Sequence, residues 1–341
     1  CRGHSGVKRD TAAIYAKILN ARITPIVREY GSLGCSGDLA PLSSCALVAM
    51  GEGEVLDSSG AILSAKDALS NAGITPVELS TKEGLALING TDGMSGQLVM
   101  ALSDIEQLLR TLDISAALSV EAVLGTDRVF QSELHAIRPQ VGQMKSAANL
   151  ALLLKDSPMV KSHAVDDHRV QDPYSMRCAP QVAGAARDTL SHAKLIAERE
   201  LSSVIDNPII LENGEIRSNG NFHGAPVAQV LDFLAISIAD AASMAERRTD
   251  NLLDEHRSAG LNAFLAADPG VDSGMMIAQY TQAGLVSEMK RLATPASVDS
   301  IPSSAMQEDH VSMGWHAARK LRRAIDAFAR VIAIEIMVAS R

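Results

Sequence analysis

Four long stretches of helical periodicity constrain the fold of this chain more than any other feature. Apolar residues recur at spacings of three and four through residues 175–204, 225–253, 273–292 and 313–340, which is typical of amphipathic helices. A helix of about thirty residues is roughly 45 Å long at 1.5 Å per residue. Helices of this length usually pack side by side, so the sequence predicts a mainly α fold built on a long-helix bundle.

The remaining segments predict shorter helices and one small hairpin. Helical periodicity also runs through residues 8–21, 39–50, 61–72, 81–88, 95–125 and 145–155. Asn213-Gly214 lies between two short apolar runs and predicts a two-stranded hairpin over residues 208–217. Because neither a repeat nor a linker is apparent, we expect a single region over residues 1–341. Its loop-rich part is expected at residues 1–100 and its helical bundle at 101–341, without a clear boundary between them.

Charge and cysteine usage exclude several classes of partner. The formal net charge of −9 argues against a nucleic-acid partner, which needs a basic face. Without a signal sequence, and without an apolar run approaching the roughly 20 residues that span a bilayer, the sequence predicts a cytoplasmic protein without a membrane partner. The four cysteines are scattered and predict reduced thiols instead of disulfides or a metal site: Cys1, Cys35, Cys45 and Cys178.

Five polar segments between the helices carry the most specific signal. In chain order they are GSLGCSGDLAPL from Gly31, Asn89-Gly90-Thr91, residues 171–178, residues 220–224 and residues 304–310. Together and in this order they resemble the motifs of the aromatic amino-acid ammonia-lyase family. The resemblance implies that Cys35-Ser36-Gly37 cyclises and dehydrates into 4-methylideneimidazol-5-one (MIO), an electrophile made from the chain itself. No external cofactor is then expected, and Cys35 stands where alanine is commonest in the family.

The residue types in the tripeptide suit this chemistry. Only glycine at position 37 lacks the Cβ that would obstruct attack of its amide nitrogen on the Cys35 carbonyl. Ser36 supplies the β-hydroxyl that dehydration removes, and a helix starting near Leu39 would direct its positive end toward the group. Taken alone, the segment fits a plain turn before a helix better than a reactive site. The five motifs in order decide for the family interpretation.

The resemblance assigns roles to further residues. Arg177 would bind the substrate carboxylate in a two-pronged hydrogen bond. Asn89 would lie beside the MIO and the substrate amine, while Tyr174, expected to be catalytic, and Gln171 would hold polar atoms of the MIO and the substrate. Phe222 would line the pocket. His223 is expected to be a structural hydrogen-bonding residue instead of a base.

Glu308 indicates the substrate. It lies in Gln-Glu-Asp-His, the sequence that the histidine-specific members of the family carry here. A carboxylate can pair with an imidazole N–H or remove the β-proton, and both roles stay open. The expected reaction converts L-histidine to trans-urocanate and ammonia, in a homotetramer with shared active sites. The resemblance leaves open whether the substrate reacts through its amine or its ring.

Three alternatives remain from the sequence. The first is a phenylalanine or tyrosine ammonia-lyase, or an aminomutase, of the same family. The second is a fumarase–aspartase enzyme, suggested by residues 303–306 but without the lysine and asparagine expected downstream. The third is an inactive helical scaffold, because the family's N-terminal catalytic tyrosine motif is absent and its C-terminal helices are shortened. We therefore expect a partial sequence of the enzyme.

Overall fold

The structure, a computed structural model, describes residues 3–165, 167 and 169–341 and confirms a mainly α fold. Cys1, one of the expected reduced thiols, lies outside the described residues; Cys35, Cys45 and Cys178 are free. The chain divides into two compact units, each made of three stretches of sequence. The first unit contains Cys1–Leu98, Ile196–Gln229 and Pro295–Arg319, and the second contains Val99–Leu195, Val230–Thr294 and Lys320–Arg341.

The first unit contains short helices and a small sheet. Its elements before residue 90 are α1 Arg9–Asn20, β1 Thr24–Pro25, α2 Leu39–Ala49, β2 Glu54–Leu56, β3 Ile62–Ser64, α3 Ala65–Asn71 and α4 Glu83–Ala86. The strands pair antiparallel in the order β1-β2-β3, with Val55 opposite Leu63. This sheet was not predicted, and its third strand occupies the start of the helix expected over residues 61–72. Buried apolar side chains, among them Ile14 and Leu69, form a hydrophobic core in this part of the first unit.

Helices supply most of the remaining chain. They are α5 Asp92–Ala122, α6 Ser132–Ala136, α7 Val141–Leu154, α8 Pro158–Ser162, α9 Tyr174–Arg177, α10 Ala179–Leu201, α11 Ala225–Leu253, α12 Met276–Leu292 and α13 Gly314–Ala339. The long ones lie in stretches where the periodicity predicts helix, whereas α6 and α8 are short and were not predicted. The predicted bounds of α11 are confirmed. The helix predicted over residues 175–204 is instead two helices, α9 and α10, separated at Cys178.

The predicted hairpin is also present. Strands β4 Ile209–Ile210 and β5 Ile216–Arg217 pair antiparallel in the first unit, and Gly214 in the turn has a φ of 84°. Such a positive φ suits glycine because it lacks a Cβ.

A buried polar network ties three helices of the second unit together. Arg248 on α11 forms a two-pronged ion pair with Glu335 on α13 through distances of 2.5 Å from Nε and 2.9 Å from Nη2. Ser115 and Ser119 on α5 donate to the same carboxylate at 2.9 and 2.7 Å. Glu335 is fully buried, so each of its oxygens has partners, as buried charge requires.

By length and composition alone, α11 is the one helix among the described residues that would suit a membrane span. However, 61% of its most apolar window is buried inside the structure. Asp232 within it pairs with Lys320 at 2.6 Å in the second unit. These features are those of a core helix.

Candidate active site

The Cys35-Ser36-Gly37 tripeptide forms a tight turn with an unusual backbone. Ser36 has a φ of 49°, and Gly34 and Gly37 on either side have φ values of 84° and 86°. A non-glycine residue in this left-handed region is strained by its Cβ, and such strain often marks a functional position. The Gly37 amide donates to the Gly34 carbonyl at 3.3 Å, a long bond that leaves this nitrogen weakly held.

Gly90 holds the tripeptide from the other side. Its amide donates to the Ser36 carbonyl at 2.9 Å, and its carbonyl accepts from the Asp38 amide at 2.8 Å. A Cβ on Gly37 would lie 1.8 Å from the Gly90 carbonyl oxygen, which no side chain can do. The two backbones therefore approach so closely that position 37 requires glycine, and this arrangement fits a tripeptide that must close on itself.

Asp38 is a buried carboxyl group directly after the tripeptide. It accepts from the Ser32 hydroxyl at 2.9 Å and from the Met94 amide in the first turn of α5 at 2.7 Å. Its side chain is fully buried, and this burial raises the pKa of Asp38 to about 6 despite the two donors. Sequence reasoning did not single out Asp38; its only signal was its place after the tripeptide.

Glu308, a predicted site residue, contacts the tripeptide. The Ser36 hydroxyl donates to its Oε1 at 3.2 Å, and Ser304 and Ser303 donate to its Oε2 at 2.6 and 3.1 Å. Hydrogen bonds, that from Ser304 foremost, lower the pKa of Glu308. The Cys35 thiol lies 3.1 Å from the Ser303 hydroxyl, and burial raises the pKa of this thiol. A carboxylate held by hydroxyl donors thus faces the serine that dehydration would consume.

Asn89 lies next to Gly90 and is held by a second set of polar groups. Its side chain is 5% exposed. Its Nδ2 donates to Asp206 Oδ1 at 3.2 Å and to the Asn207 carbonyl at 2.6 Å. The other Asp206 oxygen pairs with Lys82. Asp206 was not identified from the sequence because it lies 117 positions from Asn89. Lys82 was not identified because it lies in a turn that carries no motif.

Phe222 and His223 lie in the loop before α11. Phe222 is half-buried. His223 accepts from the Ala225 amide through Nδ1 at 3.3 Å, and its ring stacks on that of His310 with 5.8 Å between centroids. These contacts belong to the first unit, as do those of Ser36, Asn89 and Glu308.

Gln171, Tyr174 and Arg177 belong to the second unit. Gln171 is exposed, and Tyr174 is 70% exposed. The Arg177 guanidinium lies 4.7 Å from the Tyr174 ring centroid, a cation–π distance. Its Nε is buried and lacks a hydrogen-bond partner among the described residues. One turn, α9, thus presents an aromatic hydroxyl and a cation together.

Among the residues that the structure describes, no group of three or more His, Cys, Asp or Glu side chains could hold a metal ion. A helical fold that holds a strained Cys-Ser-Gly turn between glycines and against a glutamate is the combination expected for the carbon–nitrogen lyases that the motifs resemble. The chain belongs to the aromatic amino acid lyase family: residues 1–341 match the family's sequence profile, described as aromatic amino acid lyase.

Individual relatives agree with this assignment. The chain is 66% identical to a histidine ammonia-lyase of Streptomyces avermitilis and 64% identical to that of Streptomyces coelicolor, over all of its own length and 67% of theirs. It thus spans about two thirds of the length of these relatives.

Solved structures of the family have the same fold. The structure matches the histidine ammonia-lyase from Trypanosoma cruzi with a TM-score of 0.90 at 39% identity, covering 99% of this chain and 64% of that one. It matches a tyrosine aminomutase from Streptomyces globisporus with a TM-score of 0.92 at 39% identity, covering 99% and 67%.

Proposed function

We propose that residues 1–341 form a single catalytic region of a histidine ammonia-lyase, which converts L-histidine to trans-urocanate and ammonia. The observation that carries the proposal is the contact of Glu308 with Ser36, which puts a carboxylate at the tripeptide. The identity of 64–66% to histidine ammonia-lyases of two Streptomyces species supports the choice of substrate.

The tripeptide is proposed as the precursor of MIO, without an external cofactor. The close approach of Gly37 to Gly90 and the left-handed Ser36 fit this group. When formed, MIO supplies a carbon electrophile, which the ordinary side chains lack. Around it, the Gly90 amide and carbonyl hold the backbone on both sides of Ser36.

Glu308 is proposed to recognise the imidazole ring. A glutamate is ionised at neutral pH, and the lowered pKa of Glu308 extends this state to lower pH. The carboxylate can therefore accept a hydrogen bond from an imidazole N–H. A phenyl ring has no such donor. The same carboxylate is equally placed to accept the β-proton, and the two roles are not exclusive.

Further residue roles are proposed from the family resemblance. Arg177 would pair with the carboxylate, Tyr174 would act in catalysis, and Gln171 would hold polar atoms of the substrate. Asn89 would bind the amine, and Phe222 would line the pocket. The enzyme is proposed to work in the cytoplasm as a homotetramer with shared active sites, as the family resemblance implies.

A tyrosine or phenylalanine lyase, or an aminomutase, is the second candidate. The tyrosine aminomutase from Streptomyces globisporus matches the fold as closely as the histidine ammonia-lyase from Trypanosoma cruzi, each at 39% identity. Glu308 favours histidine over phenylalanine, whose ring has no hydrogen-bond donor, whereas the hydroxyl of tyrosine can donate to a carboxylate as well. Against tyrosine, the choice of histidine is supported by the identity of 64–66% to histidine ammonia-lyases. A Glu308→Gln variant should lose histidine turnover sharply; unchanged kinetics would remove this argument for the substrate.

The proposal is tested by following urocanate absorbance after addition of L-histidine. The assay is run on this chain and on a chain extended at its amino terminus, since the catalytic tyrosine motif of the family is not in residues 1–341. Intact-mass spectrometry checks the electrophile, because ring closure and dehydration each remove one water. Ser36→Ala should abolish both the mass loss and turnover, whereas the nearby Ser44→Ala should keep both. An unprocessed, inactive extended protein contradicts the proposal.

A further inference from the structure

The carboxamide of Asn89 is held in one orientation by its neighbours. Its nitrogen faces Asp206 Oδ1 at 3.2 Å and the Asn207 carbonyl oxygen at 2.6 Å. Both are acceptors only, so the amide must turn its NH2 group toward them and cannot be flipped without two repulsive contacts. Both N–H bonds of the amide are thereby used.

The amide oxygen of Asn89 is consequently the atom left for another molecule. Among the described residues it has no hydrogen-bond partner, and it is not one of the side-chain oxygens closed off from solvent, so a small molecule can reach it. The backbone of Gly90, the next residue, forms hydrogen bonds with the backbone of Ser36 and of Asp38. The free oxygen therefore belongs to a residue fixed beside the tripeptide, and it can only accept a hydrogen bond.

Asp206 is itself held rigidly. It is 3% exposed, and its Oδ1 also accepts from the Asn207 amide at 2.7 Å. Its Oδ2 pairs with the Lys82 ammonium, which donates in addition to the Ser5 carbonyl at 2.9 Å. Asn219 donates to the Asp206 carbonyl at 3.0 Å. The carboxylate that orients Asn89 thus has its remaining oxygen neutralised by a cation.

Lys82 reaches this position through a strained backbone. Its φ is 73°, in the left-handed region, at the start of α4. The turn is fastened by the buried Glu83, which accepts from the Lys8 and Ser80 amides at 2.7 and 2.8 Å. These hydrogen bonds, with that from the Ser80 amide foremost, lower the pKa of Glu83 to about 2. This turn therefore holds Lys82 where its ammonium reaches Asp206.

We infer that Asp206 and Lys82 are positioning residues for the lyase reaction. Asp206 turns the Asn89 amide so that Oδ1 accepts from the substrate ammonium, and Lys82 neutralises Asp206 so that this carboxylate does not attract the ammonium itself. The inference rests on the proposed function for the role of Asn89 beside the substrate amine. It applies to the amine of any amino-acid substrate, whatever its ring.

Two double variants separate this role from simple structural support. Lys82→Met with Asp206→Asn keeps an acceptor for Asn89, whereas Lys82→Met with Asp206→Leu removes it; both lack the ion pair and are similar in size. The expected kcat/KM of the asparagine double stays within about threefold of wild type. That of the leucine double falls about 10- to 100-fold, the range for one hydrogen bond to a charged group. Equal kcat/KM in the two doubles would overturn the inference.

Controls exclude a general loss of structure. Both double variants should keep the mass loss of two waters. When Asn89→Ala is added to each, the difference in kcat/KM between them should vanish. A difference in kcat/KM that persists without Asn89 also overturns the inference. Asp113→Asn is the matched control, because Asp113 forms a similarly buried pair with Arg187 in the second unit and should change thermal stability without changing kcat/KM.

Two outcomes need a second measurement. If the leucine double does not fold, Asp206→Asn alone is used. Its single amide oxygen cannot accept from both Lys82 and Asn89, and the Lys82 cation holds it more strongly, so the NH2 group faces Asn89. The kcat/KM should then fall at least about threefold, and Lys82→Met should restore it. No restoration overturns the inference. All of these variants are made in the chain extended at its amino terminus. Failure of the proposed function looks different, because the extended wild type then releases no urocanate. In that case L-histidine binding to the Ser36→Ala forms is compared by calorimetry, and equal Kd values, or no binding, overturn the inference.

Discussion

The Ser36 hydroxyl donates a hydrogen bond of 3.2 Å to Glu308 Oε1, although the two residues are 272 positions apart in the chain. The loop that carries Glu308 also supplies Ser303 and Ser304, which donate to its second oxygen. The carboxylate is therefore fixed at the tripeptide by its own loop before any substrate arrives.

The first prediction concerns the pH dependence of the reaction. Because hydrogen bonds, that from Ser304 foremost, lower the pKa of Glu308, the carboxylate form persists to lower pH than an ordinary glutamate allows. Activity that needs it is present above that pKa and is lost as the pH falls through it. Ser304→Ala should therefore raise the pH at which kcat/KM begins to fall on the acid side. The substrate titrates equally in both proteins, and Ser44→Ala should show no displacement.

The second prediction concerns Asp38. Burial raises its pKa to about 6, so the folded protein holds this proton more tightly than the unfolded chain. The contribution to stability is then fully present below the unfolded pKa of about 3.9 and is lost as the pH rises through about 6. Relative to Asp38→Asn, the wild-type free energy of unfolding should fall by up to about 3 kcal/mol across this window.

Urea unfolding at a series of pH values measures this difference. The exposed Asp57 provides a control of opposite sign, because hydrogen bonds, foremost that from the Ser59 hydroxyl, lower its pKa. Relative to Asp57→Asn, wild type should lose stability as the pH falls. A difference between wild type and Asp38→Asn that does not change with pH would contradict the role of burial at Asp38.

The third prediction concerns the close approach of Gly37 and Gly90. Alanine at position 37 would put its Cβ 1.8 Å from the Gly90 carbonyl oxygen, at a φ of 86°. Gly37→Ala should therefore lose both the mass deficit of two waters and lyase activity. Gly96→Ala is the matched control: its Cβ would meet nothing within 4 Å on α5, so it should stabilise the fold by about 0.5–1 kcal/mol. A Gly37→Ala protein that still shows the mass loss of two waters would contradict the requirement for glycine at position 37.

The fourth prediction concerns the buried pair of Arg248 and Glu335. Glu335→Ala leaves the arginine charge buried without its carboxylate and should lower the free energy of unfolding by about 3–5 kcal/mol. Glu106→Ala breaks the exposed pair with Arg110 and should cost about 0.3–0.5 kcal/mol. Urea midpoints at one fixed protein concentration compare the two. Similar costs would show that the buried network does not stabilise the bundle.

The sequence predicts what depends on short-range pattern. The bounds of α11 and the hairpin at Asn213-Gly214 were predicted correctly because apolar periodicity and turn chemistry are local. The sheet was missed because its strands have two or three residues, and β1 contains Pro25. Strands this short show no alternation to detect.

The candidate site divides in the same way. The motifs identify Ser36, Asn89 and Glu308 by type, but the partners that set their chemistry are distant in sequence. Asp206 follows Asn89 by 117 positions, and the raised pKa of Asp38 comes from burial that no local pattern encodes. Those properties emerge only from tertiary packing.

The hold of Gly90 on the tripeptide has a consequence for how the protein is made. The two hydrogen bonds join residues separated in the chain by two strands and three helices, so they exist only after this part of the chain has folded. If ring closure needs that hold, a newly made chain stays chemically ordinary until it has folded. The fraction of chains in a preparation that show the mass loss of two waters would then equal the fraction that had reached the native state at least once.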